Sequence, residues 1–243
     1  GLDAAVAALA RDVATAQRFD GELASLVELF VPEDGAIRRL LLLGLGKEPE
    51  PIQLERAGAA LVARLLTSGE SRLVIDLSAL AGGLDRPETA ARLAFGASLR
   101  AWRHDIYRTK LPDKSRPSLA EIVIVGGGAG AEAAWARLAP VAEGVFLARA
   151  LVTEPANVIY PESFVERCRF LADRGVAIEV LDEPAMRKLG MGALLGVSQG
   201  SARAPRMLVM RWDGTGGAQK KPLALVGKGV TFDTGGISIK PAA

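Results

Sequence analysis

LALVGKGVTFDTGGISIKPAA, residues 223–243, is the stretch whose reading decides this chain. LALVG (223–227) reads as a buried strand that runs straight into Lys228. An ammonium at the mouth of a buried strand is costly unless it is paired or deprotonated. Asp233 follows between Phe232 and Thr234-Gly235-Gly236, and those glycines let the backbone approach a ligand closely. In Ile237-Ser238-Ile239-Lys240 the period-2 alternation turns Lys240 away from the face of the two isoleucines. One carboxylate and two lysines thus converge on a glycine-lined turn beyond a strand. In open α/β sheets, ligands bind at that place.

Outward from this stretch, strand-like and helix-like runs alternate. IRRLLLLGLG (37–46), RLVIDLSAL (72–80) and EIVIVGG (121–127) are short apolar runs that suit strands buried on both faces. Between them, residues 52–69 place Leu54, Ala57, Leu61 and Leu65 on one helical face, with Gly69 as a stop. Residues 86–102 behave alike and carry Pro87 in the first turn. The alternation predicts parallel pairing in a layered α/β domain. A helix over 140–152 is broken by TEPANVIYPE (153–162), where the domain boundary is placed. Beyond it the pattern predicts a helix over about 161–174 ended by Gly175, a strand at 177–183, and apolar runs at 192–198 and 206–212. DGTGGAQKKP (213–222) reads as an exposed loop before the last strand, and GLDAAVAALA reads as starting in mid-helix.

Composition narrows the function. The charge balance is 30 basic against 28 acidic residues, a net +2, with no basic stripe that would bind nucleic acid. No apolar run reaches the roughly 18 residues of a membrane span, and no signal-peptide pattern opens the chain. Cys168 is the single cysteine, so a reducing, cytoplasmic location is expected, with core packing as its role. His104 is the single histidine and sits among charged neighbours, which suits a solvated or capping residue. Any metal must therefore rely on carboxylates or unusual ligands.

Two glycine motifs are decoys. Gly126, Gly128 and Ala131 fit a dinucleotide fingerprint, but the helix that follows is too long for its βαβ unit and the acidic residue has no second strand to sit on. A plain strand-to-helix turn is the better reading. Gly227-Lys228-Gly229 lacks both the upstream glycine and the Ser or Thr of a phosphate loop.

The terminal motif VGKGVTFDTGGISIKP resembles the first metal-binding segment of the leucine aminopeptidase (cytosol aminopeptidase) family of two-metal exopeptidases. LVTEPANVIYPESF and MGALLGVSQGSARAPRMLVMRW resemble stretches that precede it in that family's catalytic domain, and LLLLGLGK and AWRHDIYRTK more loosely resemble its smaller domain. The resemblance implies a fold of class α/β: a three-layer N-terminal domain over 1–139 with its first strand missing, a linking helix at 140–152, and over 153–243 the first part of a catalytic domain with a mixed, largely parallel sheet. It implies that Lys228 ligates metal through a neutral amine, that Asp233 bridges two metals, and that Lys240 stabilises the oxyanion, all three contacting substrate. It also implies two divalent ions (Mn or Zn), bicarbonate as a further cofactor, peptide substrates and a homo-hexamer. Three further carboxylate ligands and an arginine belong to that pattern and do not occur after Lys240, so the chain reads as a fragment, inactive alone. The alternatives are a non-catalytic α/β binding or oligomer-assembly module, and a nucleotide-binding domain built on 126–131.

Overall fold

The structure is a computed structural model and describes residues 3–33, 35–80 and 83–231. The chain divides into two compact units, residues 1–149 and 150–243.

The first unit opens with α1 (Ala4–Ala16), whose N-terminus is capped by Asp3 accepting from the Ala5 amide. The opening is therefore a helix start and not mid-helix, because a short acidic side chain satisfies a first-turn donor. β1 (Leu26–Glu33), unanticipated, pairs antiparallel with β2 (Ala36–Leu43). Its alternate residues Val27, Leu29 and Val31 are buried, and Leu29 and Val31 join Ala10 of α1 in one apolar cluster. α2 (Pro51–Leu65) starts with proline at its first turn and a Glu50–Gln53 capping box. β3 (Arg72–Asp76), α3 (Arg86–Ala101) and β4 (Glu121–Val125) follow, and β3 pairs parallel with β4.

The main core of this unit joins Ala57, Leu61 and Leu65 of α2 to Leu73 and Ile75 of β3 and to Ala90 and Leu93 of α3. α2 and α3 pack closely because each offers a glycine to the other's backbone. Gly58 faces the Leu93 main chain, and Gly96 faces that of Glu55. Arg92 of α3 ties the layers by bonding Glu55 and Glu88, each at 2.7 Å, while Arg137 takes the other oxygen of Glu88 at 2.7 Å. The two carboxylates raise the Arg92 pKa further above its ordinary range. On β1, burial pushes the Glu28 carboxyl up, but hydrogen bonds and charge from Arg64 and Arg39 outweigh it and hold it below the usual value.

β4 passes through Gly126, Gly128 and Gly130, all with positive φ, into α4 (Ala131–Thr153). Gly126 is required there, since a Cβ would strike the Ser78 backbone. One helix thus covers both the residues after the glycine turn and the expected 140–152 segment, with Pro140 inside it.

In the second unit, α5 (Pro161–Cys168) runs into a 3-10 turn (Arg169–Arg174) that Gly175 ends in the left-handed conformation. β5 (Ala177–Leu181) leads to α6 (Glu183–Lys188), capped by Asp182, and then to α7 (Gly192–Ser198). β6 (Met207–Arg211) pairs antiparallel with β5. Ile159, Val165, Cys168 and Met186 are its buried apolar residues. The strand expected at 223–227 does not form: residues 222–231 have no regular structure, and Leu225 and Val226 are 90% and 95% exposed. An apolar run becomes a strand only when a neighbour takes its amides and carbonyls, and no strand lies beside it among the described residues.

Candidate metal centre and active site

Of the three residues expected to carry the chemistry, Lys228 lies among the described residues, and Asp233 and Lys240 lie outside them. Lys228 is exposed, in the irregular segment, so the expected desolvation at a strand mouth is not seen. Among the described residues, no group of three or more His, Cys, Asp and Glu side chains could hold a metal ion. The donor chemistry of Lys228 and Asp233, one amine and one carboxylate, suits part of a transition-metal shell. Two donors fall short of the four or more that one such ion takes.

The remaining candidates resolve into structural parts. His104 stacks on Trp102 with centroids 6.0 Å apart and meets Tyr107 edge-on at 5.9 Å. Arg103 hydrogen-bonds Asp105 and holds its carboxyl below the usual range. Arg149 of α4 lies over the Trp102 ring at 5.8 Å and donates to the Leu99 carbonyl, so this turn is fastened to two helices. The Cys168 thiol is buried, and burial pushes its pKa up, which suits packing rather than nucleophilic chemistry. The glycines at 126–130 form the strand-to-helix turn, where Asp76 accepts from the Ser78 amide at 2.8 Å and is held below its ordinary pKa.

Sequence reasoning missed a clamp in the second unit. Arg203 lies 3.9 Å from the Tyr160 ring centroid, and Arg206 reaches Glu162 at 3.4 Å. Ser163 accepts from the Tyr160 amide at 2.9 Å and donates to the Val158 carbonyl at 2.7 Å. Arg167 pairs at 3.0 Å with Glu154, whose side chain is largely buried. The Arg203–Tyr160 and Arg206–Glu162 contacts fix the 154–163 entry segment to the loop that precedes β6. The paired arginines around Pro205 were the available signal.

Residues 1–111 match the cytosol aminopeptidase family, N-terminal domain, and residues 146–243 match that family's catalytic domain. A Bradyrhizobium sp. protein named "Probable cytosol aminopeptidase" is 45% identical over 239 residues, covering 97% of this chain and 47% of that protein. A Rhodopseudomonas palustris protein of the same name is 44% identical over 246 residues, covering 100% of this chain and 48% of the relative. The chain spans about half the length of the curated relatives it matches.

Among solved structures, a tomato leucine aminopeptidase mutant superimposes with a TM-score of 0.81 at 26% identity, over 97% of this chain and 47% of that one. The bottromycin maturation enzyme BotP in complex with Mn gives 0.67 at 29% identity, over 82% and 42%. The mixed α/β fold, an N-terminal domain followed by a portion of a catalytic domain, is the one these proteins share. With both domain profiles matched in order along one polypeptide, the chain belongs to the cytosol aminopeptidase family.

Proposed function

We propose that the protein carrying this sequence is a metal-dependent aminopeptidase that releases N-terminal residues, leucine-like ones among them, from peptides. The observation that supports it most is VGKGVTFDTGGISIKP lying inside the segment matched to the family's catalytic domain. The domain division proposed is 1–139, a linking helix at 140–152, and 153–243.

Lys228 would hold a divalent ion through its neutral amine and Asp233 would bridge to a second. Such ions, Mn or Zn, supply Lewis acidity and an activated water when bound. The chain's own work is to orient and to donate. Lys240, protonated, would donate to the oxygen that gains negative charge as the scissile carbonyl becomes tetrahedral. A lysine serves there because its ammonium is a compact charge on a flexible stem that follows the developing oxyanion. The glycines at 235–236 would let the backbone lie close to the peptide's amino end. A hexameric assembly and a cytoplasmic location complete the proposal; no described helix is long and apolar enough to cross a membrane.

Because Lys228 and Asp233 cannot fill two metal shells, the 1–243 chain alone should bind Mn²⁺ weakly and should not turn over leucine p-nitroanilide. Calorimetric titration of the chain with Mn²⁺, beside a hydrolysis assay, tests this. Tight binding of two ions by the isolated chain, or robust turnover, would overturn the ligand assignment.

A further inference from the structure

We propose that the Asp20–Gly21 bond of the first unit is a site of spontaneous isoaspartate formation, and that a cage of hydrogen bonds built on Thr215 holds the chemically identical Asp213–Gly214 bond against it. The reaction needs no co-reactant. The glycine amide nitrogen attacks the aspartate Cγ, a C–N bond forms, and a C–O bond breaks as the carboxyl hydroxyl leaves as water with the amide proton. Water then adds to the main-chain carbonyl of the succinimide ring and opens it, so that the chain runs through Cγ. A following glycine favours the attack because no side chain shields its nitrogen. The protonated carboxyl is the reactive form, since water leaves more readily than oxide.

Both aspartates are exposed, and their hydrogen bonds separate them. Asp213 is gripped at both oxygens. Its Oδ1 accepts from the Thr215 amide at 2.8 Å and from the Thr215 hydroxyl at 2.7 Å, and its Oδ2 accepts from the Gly217 amide at 2.7 Å. The Thr215 hydroxyl is itself aimed by the Gln219 amide, which donates to it at 3.1 Å. Turning Cγ onto the Gly214 nitrogen gives up these bonds, and donors that favour the carboxylate also deplete the reactive acid. Asp20 has one such contact among the described residues, from the Glu22 amide to Oδ1 at 3.2 Å, which leaves Oδ2 ungripped. A further bond of this kind, Asp34–Gly35, has its aspartate outside the described residues. Isoaspartate at position 20 would insert one atom into the main chain of a closely fitted loop. The Gly46 amide donates to the Gly21 carbonyl at 2.9 Å, and a Cβ on Gly44 would strike the Glu22 carbonyl. The modification therefore loosens this loop from the chain that leaves β2, while the loop after β6 is spared.

Incubation of the protein at about pH 7 and 37 °C, followed by digestion and fragmentation that assigns each isoaspartate to its residue, tests this. Isoaspartate should form at 20 at least about tenfold faster than at 213, as two further hydrogen bonds imply. Synthetic peptides 17–24 and 210–217 should convert alike, because neither is caged. Thr215→Val should speed conversion at 213 about fivefold, as the loss of one hydrogen bond implies, and should move the rise in rate with falling pH to higher pH. Thr215→Ser keeps the hydroxyl and should match the parent, and neither variant should alter conversion at 20. Equal rates at 20 and 213 in the folded protein, peptides that already differ as widely, or a Thr215→Val variant as slow as the parent would each overturn the proposal.

Discussion

An alanine at position 58 would drive its Cβ into the Leu93 carbonyl, and one at 96 into the carbonyl of Glu55. Alanine ordinarily favours a helix over glycine by up to about 1 kcal/mol. Here the obstacle is backbone that cannot turn aside, and overpacking of that kind costs roughly 1–3 kcal/mol. Gly58→Ala and Gly96→Ala are therefore expected to lower stability, read as a drop of several degrees in thermal midpoint; a rise would contradict the close α2–α3 approach. Ala24 presents the opposite case, with φ at 59° in a region that β-carbons disfavour. Ala24→Gly should raise stability by about 0.5 kcal/mol, because the strain relieved exceeds the added unfolded-state entropy. Denaturant midpoints decide it. Neither effect was legible in the sequence, where Gly58 and Ala24 are ordinary small residues and the cause is what they face.

At the scale of elements, carboxylates held by arginines (Glu28, Asp105) or by hydrogen bonds from Ser78 and Thr215 (Asp76, Asp213) set the acid response. Glu28 on β1, Asp76 at the end of β3, Asp105 in the turn after α3 and Asp213 after β6 all lie below their ordinary carboxylate values in the folded chain. A depressed folded value adds stability that is present above the unfolded pKa, about 4, and is lost as pH falls through the folded one. Urea midpoints should thus hold from neutral pH to about 4 and fall below it, and Glu28→Gln should make the fall shallower. An unchanged midpoint down to pH 2 would contradict these ion pairs and hydrogen bonds.

Elements with strong local signals were readable. α2 and α3 announce themselves by apolar spacing and first-turn prolines, and Gly175 ends its helix as expected. β1 was missed because Glu28 and Pro32 interrupt its apolar run, although its alternation was present. The 192–198 run became a helix, since an apolar run alone does not distinguish the two. The 223–227 run stayed irregular because strand formation depends on a neighbour that local sequence cannot supply.

For the whole molecule, family membership was carried by one motif and its ordered companions, and the domain matches agree with it. The candidate site was readable only as a resemblance: the motif holding Lys228, Asp233 and Lys240 proposes them for the chemistry, while the surroundings of these side chains are not written in local sequence. The structure places Lys228 in an exposed, irregular segment and not at the mouth of a buried strand. The measurement that bears most directly on the account is leucine p-nitroanilide hydrolysis by the native gene product, before and after chelation, with Lys240→Ala alongside. The account predicts activity that disappears on chelation, returns with Mn²⁺ or Zn²⁺, and falls about 10²–10³-fold in kcat for the variant. Activity indifferent to the chelator, or a variant as fast as the parent, would contradict it.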